Sequence, residues 1–162
     1  MIPFANELSR ADWHPTVVEI YEYWRSIRPA DGLPGRQHVD PLNIPKHLLA
    51  GLWLLDVQRE PFRLRYRLVG TRIDRAIGRD VTGQWLDEAH PQIKENVPFI
   101  ERYRNVVLTR SPSHREGKPT LWTHETFARI ENLLLPLARD GATVDMIMAY
   151  SVLFRQDGSP AP

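Results

Sequence analysis

The chain contains no cysteine. That absence excludes disulfides, cysteine nucleophiles, thiolate metal sites and iron–sulfur clusters together. It also excludes photochemistry that depends on a cysteinyl–flavin bond. Lysine is scarce: Lys46, Lys94 and Lys118 are the three present among 21 lysines and arginines. Cationic chemistry therefore falls to arginine, whose planar fork grips oxyanions bidentately where lysine acts as a point charge. A codon preference across a genome produces the same skew. Excess charge is missing as well, since the net charge is +1, and no global field favours nucleic acid or an anionic membrane. No window approaches the length of a membrane span. The opening MIPFANELSRADWHP has no basic segment followed by an apolar run, so no secretory leader is expected there. A soluble cytoplasmic protein is the resulting expectation.

What is present suits one domain. A chain of 162 residues, 42% of them hydrophobic, can bury a single sizeable core. After an irregular lead-in over 1–14, Thr16-Val17-Val18-Glu19 fits a capping box beside Pro15. Val17, Ile20, Tyr21, Trp24 and Ile27 then recur at helical spacing and form one apolar stripe. Such a stripe covers either the domain's own core or a partner, and an exposed Trp24 would favour the partner. Pro29-Ala30-Asp31-Gly32 stops the helix.

Pro45 predicts a short helical turn through His47, Leu48 and Leu49, and the bounded apolar run Leu52 to Val57 predicts a buried strand. In the next segment Phe62, Leu64, Tyr66 and Leu68 alternate with Arg63, Arg65 and Arg67. That period of two predicts a strand with an apolar face and a basic face, paired with its predecessor as a hairpin. Glu19 and Glu22 are candidate partners for the basic face. Thr71 to Ile77 can form one or two helical turns. Pro98 would break a continuous helix, so it is placed in the first turn of one running to about Thr109, which Ser111-Pro112-Ser113 closes. A third strand is expected to begin at Leu121-Trp122-Thr123, and Ile130 to Leu137 follows as another. Pro136 there implies an edge or a bulge. Arg139-Asp140-Gly141 is a turn, and Val144 to Phe154 is the last strand. Strands split around a helical insert predict an α+β domain with one antiparallel sheet.

Catalytic chemistry finds little support. His38-x-Asp40 and His114-x-Glu116 could each offer two metal ligands, but neither has the i, i+4 spacing of a helical zinc motif, and no metal site is expected. No serine lies in a G-x-S-x-G elbow or an S-x-x-K motif. The stretch LRYRLVGTRIDRAIGRDVTG, with Gly70, Gly78 and Gly83, invites a phosphate-loop reading. Its glycines are too far apart for one cradle, and separate corners fit the spacing better. The arginines at 63, 65 and 67 lack aromatics on their own strand face, so nucleic acid is not an expected partner. An α+β enzyme using His124 and Glu125 as an acid–base pair is the alternative from another class, although strand neighbours point to opposite faces.

One family resemblance emerges from these residues. Leu54-Leu55-Asp56-Val57, then Phe62 to Thr71 ending in R-Y-R-L-V-G-T, then Gly78-Arg79-Asp80-Val81-Thr82-Gly83 resemble a bacterial, stand-alone branch of the PAS domain family. Leu133 to Ala138, Asp140-Gly141 and Val144 to Ile147 are similar to that branch's last hairpin. The resemblance implies a five-stranded antiparallel sheet in the order 2-1-5-4-3, with short helices on one face and an N-terminal amphipathic helix. The implied division is an N-terminal extension and helix over 1–32, the PAS-like domain over 33–155 and a flexible tail over 156–162. It implies a non-catalytic sensory or adaptor module that binds a small ligand, a signalling protein, or both. Haem is not expected, because no histidine falls between Gln92 and Arg110. Ligand-binding candidates are Tyr66, Arg67, Leu68, Trp85, Tyr103 and Trp122. A homodimer is expected through Val17, Ile20, Tyr21, Trp24 and Ile27.

Overall fold

A computed structural model describes residues 10–121 and 127–162. Five strands form one antiparallel sheet in the order β2-β1-β5-β4-β3, as the resemblance implies. The strands are β1 (Leu52–Gln58), β2 (Arg63–Val69), β3 (Ser113–Gly117), β4 (Phe127–Leu137) and β5 (Met146–Arg155). Five α-helices accompany them: α1 (Pro15–Ser26), α2 (Lys46–Leu49), α3 (Thr71–Ile77), α4 (Leu86–Ala89) and α5 (Val97–Thr109). None of these is long and apolar enough to cross a membrane. The central strand β5 is buried on both faces through Phe154, which is why Met146 to Phe154 is almost continuously apolar.

The two helical layers can be placed from β3. Successive strand residues point to opposite faces. Ser113 meets Arg102 of α5, whereas its neighbour His114 stacks on Trp13, just ahead of α1, with ring centroids 4.2 Å apart. Thus α1 and α5 cover opposite faces of the sheet. Pro98 lies in the first turn of α5, where its missing N–H costs nothing, and the Asn96 side chain caps the helix through the Phe99 N–H.

Gly70 and Gly78 are corners of the fold. A Cβ on Gly70 would lie 2.5–2.6 Å from the carbonyl oxygens of Leu49, Ala50 and Leu52, so the chain can turn into α3 there only with glycine. Gly78 ends α3 at φ 83°, the left-handed conformation that glycine adopts without strain.

Several expectations are corrected. The cap of α1 is His14, whose ring accepts the Thr16 N–H, and Glu19 pairs with His47 at 2.7 Å instead of closing a capping box. The third strand is Ser113–Gly117, earlier than the stretch from Leu121, and β4 starts at Phe127. As a polar edge strand, SHREG carries no apolar alternation for a periodicity to reveal. Trp122 to Thr126 lie outside the described residues. Pro136 sits in β4 beyond the last β3 pair, Ser113 with Leu134, so its missing N–H interrupts no ladder on that side.

The apolar stripe of α1 is packed on its own chain. Val17, Ile20, Tyr21 and Trp24 are fully buried, Ile27 is partly so, and the Trp24 indole donates to the Pro136 carbonyl at 3.0 Å. These side chains fill the core of a single chain, which removes the stripe as a free dimer surface. Trp24→Ala is therefore expected to destabilise the fold by about 3–5 kcal/mol, the range for a buried Trp. Urea denaturation checks this, and a loss below about 1 kcal/mol contradicts it.

Candidate functional site

The site centres on Arg102, on the inner face of α5. Its Nε donates to Ser113 Oγ and its Nη2 to the Ser113 carbonyl, both at 2.9 Å, while Nη1 donates to Asn132 Oδ1 at 2.7 Å. A guanidinium can only donate, so the Asn132 amide must turn its oxygen to Arg102 and its nitrogen away. That nitrogen donates to Ser151 Oγ at 2.9 Å, and Ser151 Oγ also accepts the Trp53 indole N–H at 3.1 Å. One hydrogen-bonded chain thus joins α5 to β3, β4, β5 and β1.

Among the described residues no carboxylate pairs with Arg102. Burial, helped by the nearby positive Arg115, lowers its pKa to about 10, so it stays charged at neutral pH. Buried cations ordinarily have a counter-charge. Arg115 likewise contacts a carbonyl, that of Lys118, and no carboxylate among the described residues. Both guanidinia line a cleft with Trp53, Phe99, Tyr103 and Asn132. Burial pushes the Tyr103 hydroxyl up to about 12, so it remains a neutral donor. The cleft has about 260 Å3 of empty space out to its mouth, but only about 20 Å3 admits a water-sized sphere. That is room for one water. Its chemistry is nearly all donors over an aromatic floor: it can hold an acceptor-rich ligand, and among the described residues nothing in it provides a nucleophile with a base.

Of the six ligand-binding candidates, Tyr103 lines this cleft. Tyr66 lies behind it, its ring 6.0 Å from Trp53 and its hydroxyl 2.8 Å from His90 Nε2. Arg67 and Leu68 point to solvent, Leu68 being 41% exposed. The reason is a β-bulge: Leu54 pairs with Leu68 but Leu55 with Tyr66, so Arg67 is an extra residue that resets the alternation. Trp85 lies under the guanidinia of Arg63 and Arg65, 4.2 and 5.3 Å from its ring centroid. It therefore joins the basic face and not the cleft. Trp122, His124 and Glu125 lie outside the described residues.

The basic face is neutralised from β1 and α4, not by Glu19 and Glu22. Arg63 forks onto Asp87 at 2.8 and 3.1 Å, holding that carboxyl below its ordinary range, and Arg65 and Arg67 approach Asp56. His114 and Glu116 meet Glu131, with potential ligand atoms within 4.8 Å of one another. Each is engaged already: His114 and the His14 N–H bind Glu131, and Arg129 lies 3.6 Å from Glu116. Sequence reasoning missed Arg102, Asn132 and Ser151. The available signal was polar residues inside the two most apolar runs of the chain, Asn132 beside Glu131 in one and Ser151 in the other.

An antiparallel five-stranded sheet with short helices, a buried polar chain and a cleft under the longest helix of that layer is now in view. Residues 13–150 match the family model described as a PAS domain. The chain belongs to the PAS domain family. The match takes in α1 as well as the sheet, the helical insert and the cleft. PAS domains are in general sensory or adaptor modules. No curated protein matches this one.

His90 provides a pH test of the region behind the cleft in this PAS domain. Burial, with the positive Arg79 assisting, lowers its pKa to about 4, against an ordinary value of 6.5. Protonation then favours the unfolded chain, so this contribution is complete above pH 6.5 and is lost as pH falls toward 4. The urea midpoint should fall across that window in the parent but much less in His90→Asn. Parallel profiles would contradict the assignment.

Proposed function

We propose that this PAS domain is a non-catalytic sensory module whose signal enters at the cleft beneath α5. The observation that carries the reading is Arg102, a buried cation fastened to β3 and β4 through groups that, among the described residues, are all neutral. With Arg115 and Tyr103 beside it, the cleft favours a small ligand that presents hydrogen-bond acceptors. Such a ligand is larger than the present void, so its entry displaces Phe99, Leu121 or α5 itself. Because α5 is tied to β3 and β4 by Arg102, displacement is felt by the sheet, and a ligand that binds the displaced state better shifts the population toward it.

The output is contact with a signalling protein or a second copy of the chain. Val97 and Leu108, 64% and 66% exposed, lie eleven residues apart on one outer face of α5 and support a partner there. That surface takes the place of the α1 stripe in the dimer expectation.

Native mass spectrometry of the purified chain, with thermal shifts across a panel of small carboxylates and other acceptor-rich metabolites, tests the reading. A bound mass or stabilising ligand in the parent, weakened at least tenfold in Arg115→Ala, is the expected result. No bound mass and a flat panel would remove the small-molecule version.

A further inference from the structure

Seven of the eighteen arginines meet a carboxylate among the described residues. Arg10 and Arg25 meet Glu22, Arg63 meets Asp87 and Glu88, Arg65 and Arg67 meet Asp56, Arg104 meets Glu101, and Arg129 meets Glu116. Three of the others, Arg72, Arg75 and Arg155, have no such pair among the described residues and line one cleft between α3, the end of β5 and the C-terminal segment. About 230 Å3 of this cleft admits water-sized spheres, against about 20 Å3 under α5. We propose that it is a binding site for a small phosphate monoester carrying a compact apolar group.

Two elements bring the three arginines together, and one of the three is held in place. Arg72 and Arg75 are three positions apart on α3 and so share a face. Arg155 arrives from the sheet, where its strand partner is Phe127. Arg72 is confined: a Cβ on Gly51 would lie 2.9 Å from its Nη1 and 2.8 Å from Tyr150 Cε1, so the guanidinium rests against bare backbone. Its Nε is buried with no hydrogen-bond partner among the described residues. A buried donor left unmade is costly. Asp157 is close enough to Arg155 to feel its charge, but its Oδ1 is held by the Ser159 N–H and hydroxyl, and the two form no ion pair.

Ligand class follows from charge and wall. Three arginines line one space, and a monocarboxylate neutralises the charge of one of them. A phosphate monoester brings nearly two negative charges and three acceptor oxygens, which suits several arginine forks. Ala76, Phe127, Leu153 and Ala161 supply apolar wall for the esterified group.

Titration calorimetry of the whole chain with phenyl phosphate, inorganic phosphate and benzoate tests the proposal. Phenyl phosphate is expected to bind, benzoate at least tenfold more weakly, and inorganic phosphate between them. Arg75→Gln and Arg155→Gln alter side chains in exposed residues, so both variants should fold, which circular dichroism verifies. Each should weaken phenyl phosphate at least tenfold, and Arg139→Gln, an exposed position that lines neither cleft, should leave it unchanged. Absence of binding at millimolar concentration, equal affinity for benzoate, or unchanged affinity in both Arg75→Gln and Arg155→Gln would overturn the assignment.

Discussion

A single hydrogen-bonded chain, from Arg102 through Asn132 and Ser151 to Trp53, governs how this domain is put together. Each link fixes the next. The guanidinium sets the orientation of the Asn132 amide, the amide nitrogen fixes on the Ser151 hydroxyl, and that hydroxyl also receives the Trp53 indole. Strands distant in sequence are thereby held in one register on the face beneath α5. A buried polar chain of this kind is favourable when every member is satisfied and costly when one is lost, because the interior offers no water as substitute. The positive charge at its end remains, and the acceptors that meet it among the described residues are neutral. That residual charge is what separates this cleft from ordinary core.

The rest of the molecule sorts its charges differently. On the open face of β2, arginines meet carboxylates from β1 and α4, with Trp85 laid beneath two of them. These exposed pairs contribute little stability individually. They do keep the basic face from acting as an anion surface. The apolar stripe of α1 serves the opposite side of the sheet, with Trp24 anchored to the Pro136 carbonyl in a part of β4 beyond the reach of β3. Sheet and helices therefore depend on each other: α1 closes one face with hydrophobic contact, and α5 closes the other with a charge.

Much of the fold was legible in the sequence, for physical reasons that also explain the failures. Helices α1 and α5 declared themselves by spacing, β2 by alternation and β5 by an unbroken apolar run, because burial imposes those patterns. Strand β3 did not, since an edge strand of polar residues buries too little to leave a mark. The bulge at Arg67 was invisible for a related reason: the residues alternate perfectly, and the register break is set by the pairing with β1. The strand order came from family resemblance and not from any periodicity. Of the site, Tyr103 was found as an aromatic on a helix, whereas Arg102 looked like one more surface arginine. Its burial is decided by Asn132 and Ser113 on strands that no local pattern connects to it. Asn132 and Ser151, polar within apolar runs, were the legible trace of that connection.

A double-mutant cycle between Arg102→Met and Asn132→Ala, followed by urea denaturation, tests this account most directly. If the two act as one unit, the double variant is little less stable than the worse single variant. The coupling should then be about 1.5–3 kcal/mol, the range for a hydrogen bond to a charged group. Effects that add to within about 0.5 kcal/mol would contradict it.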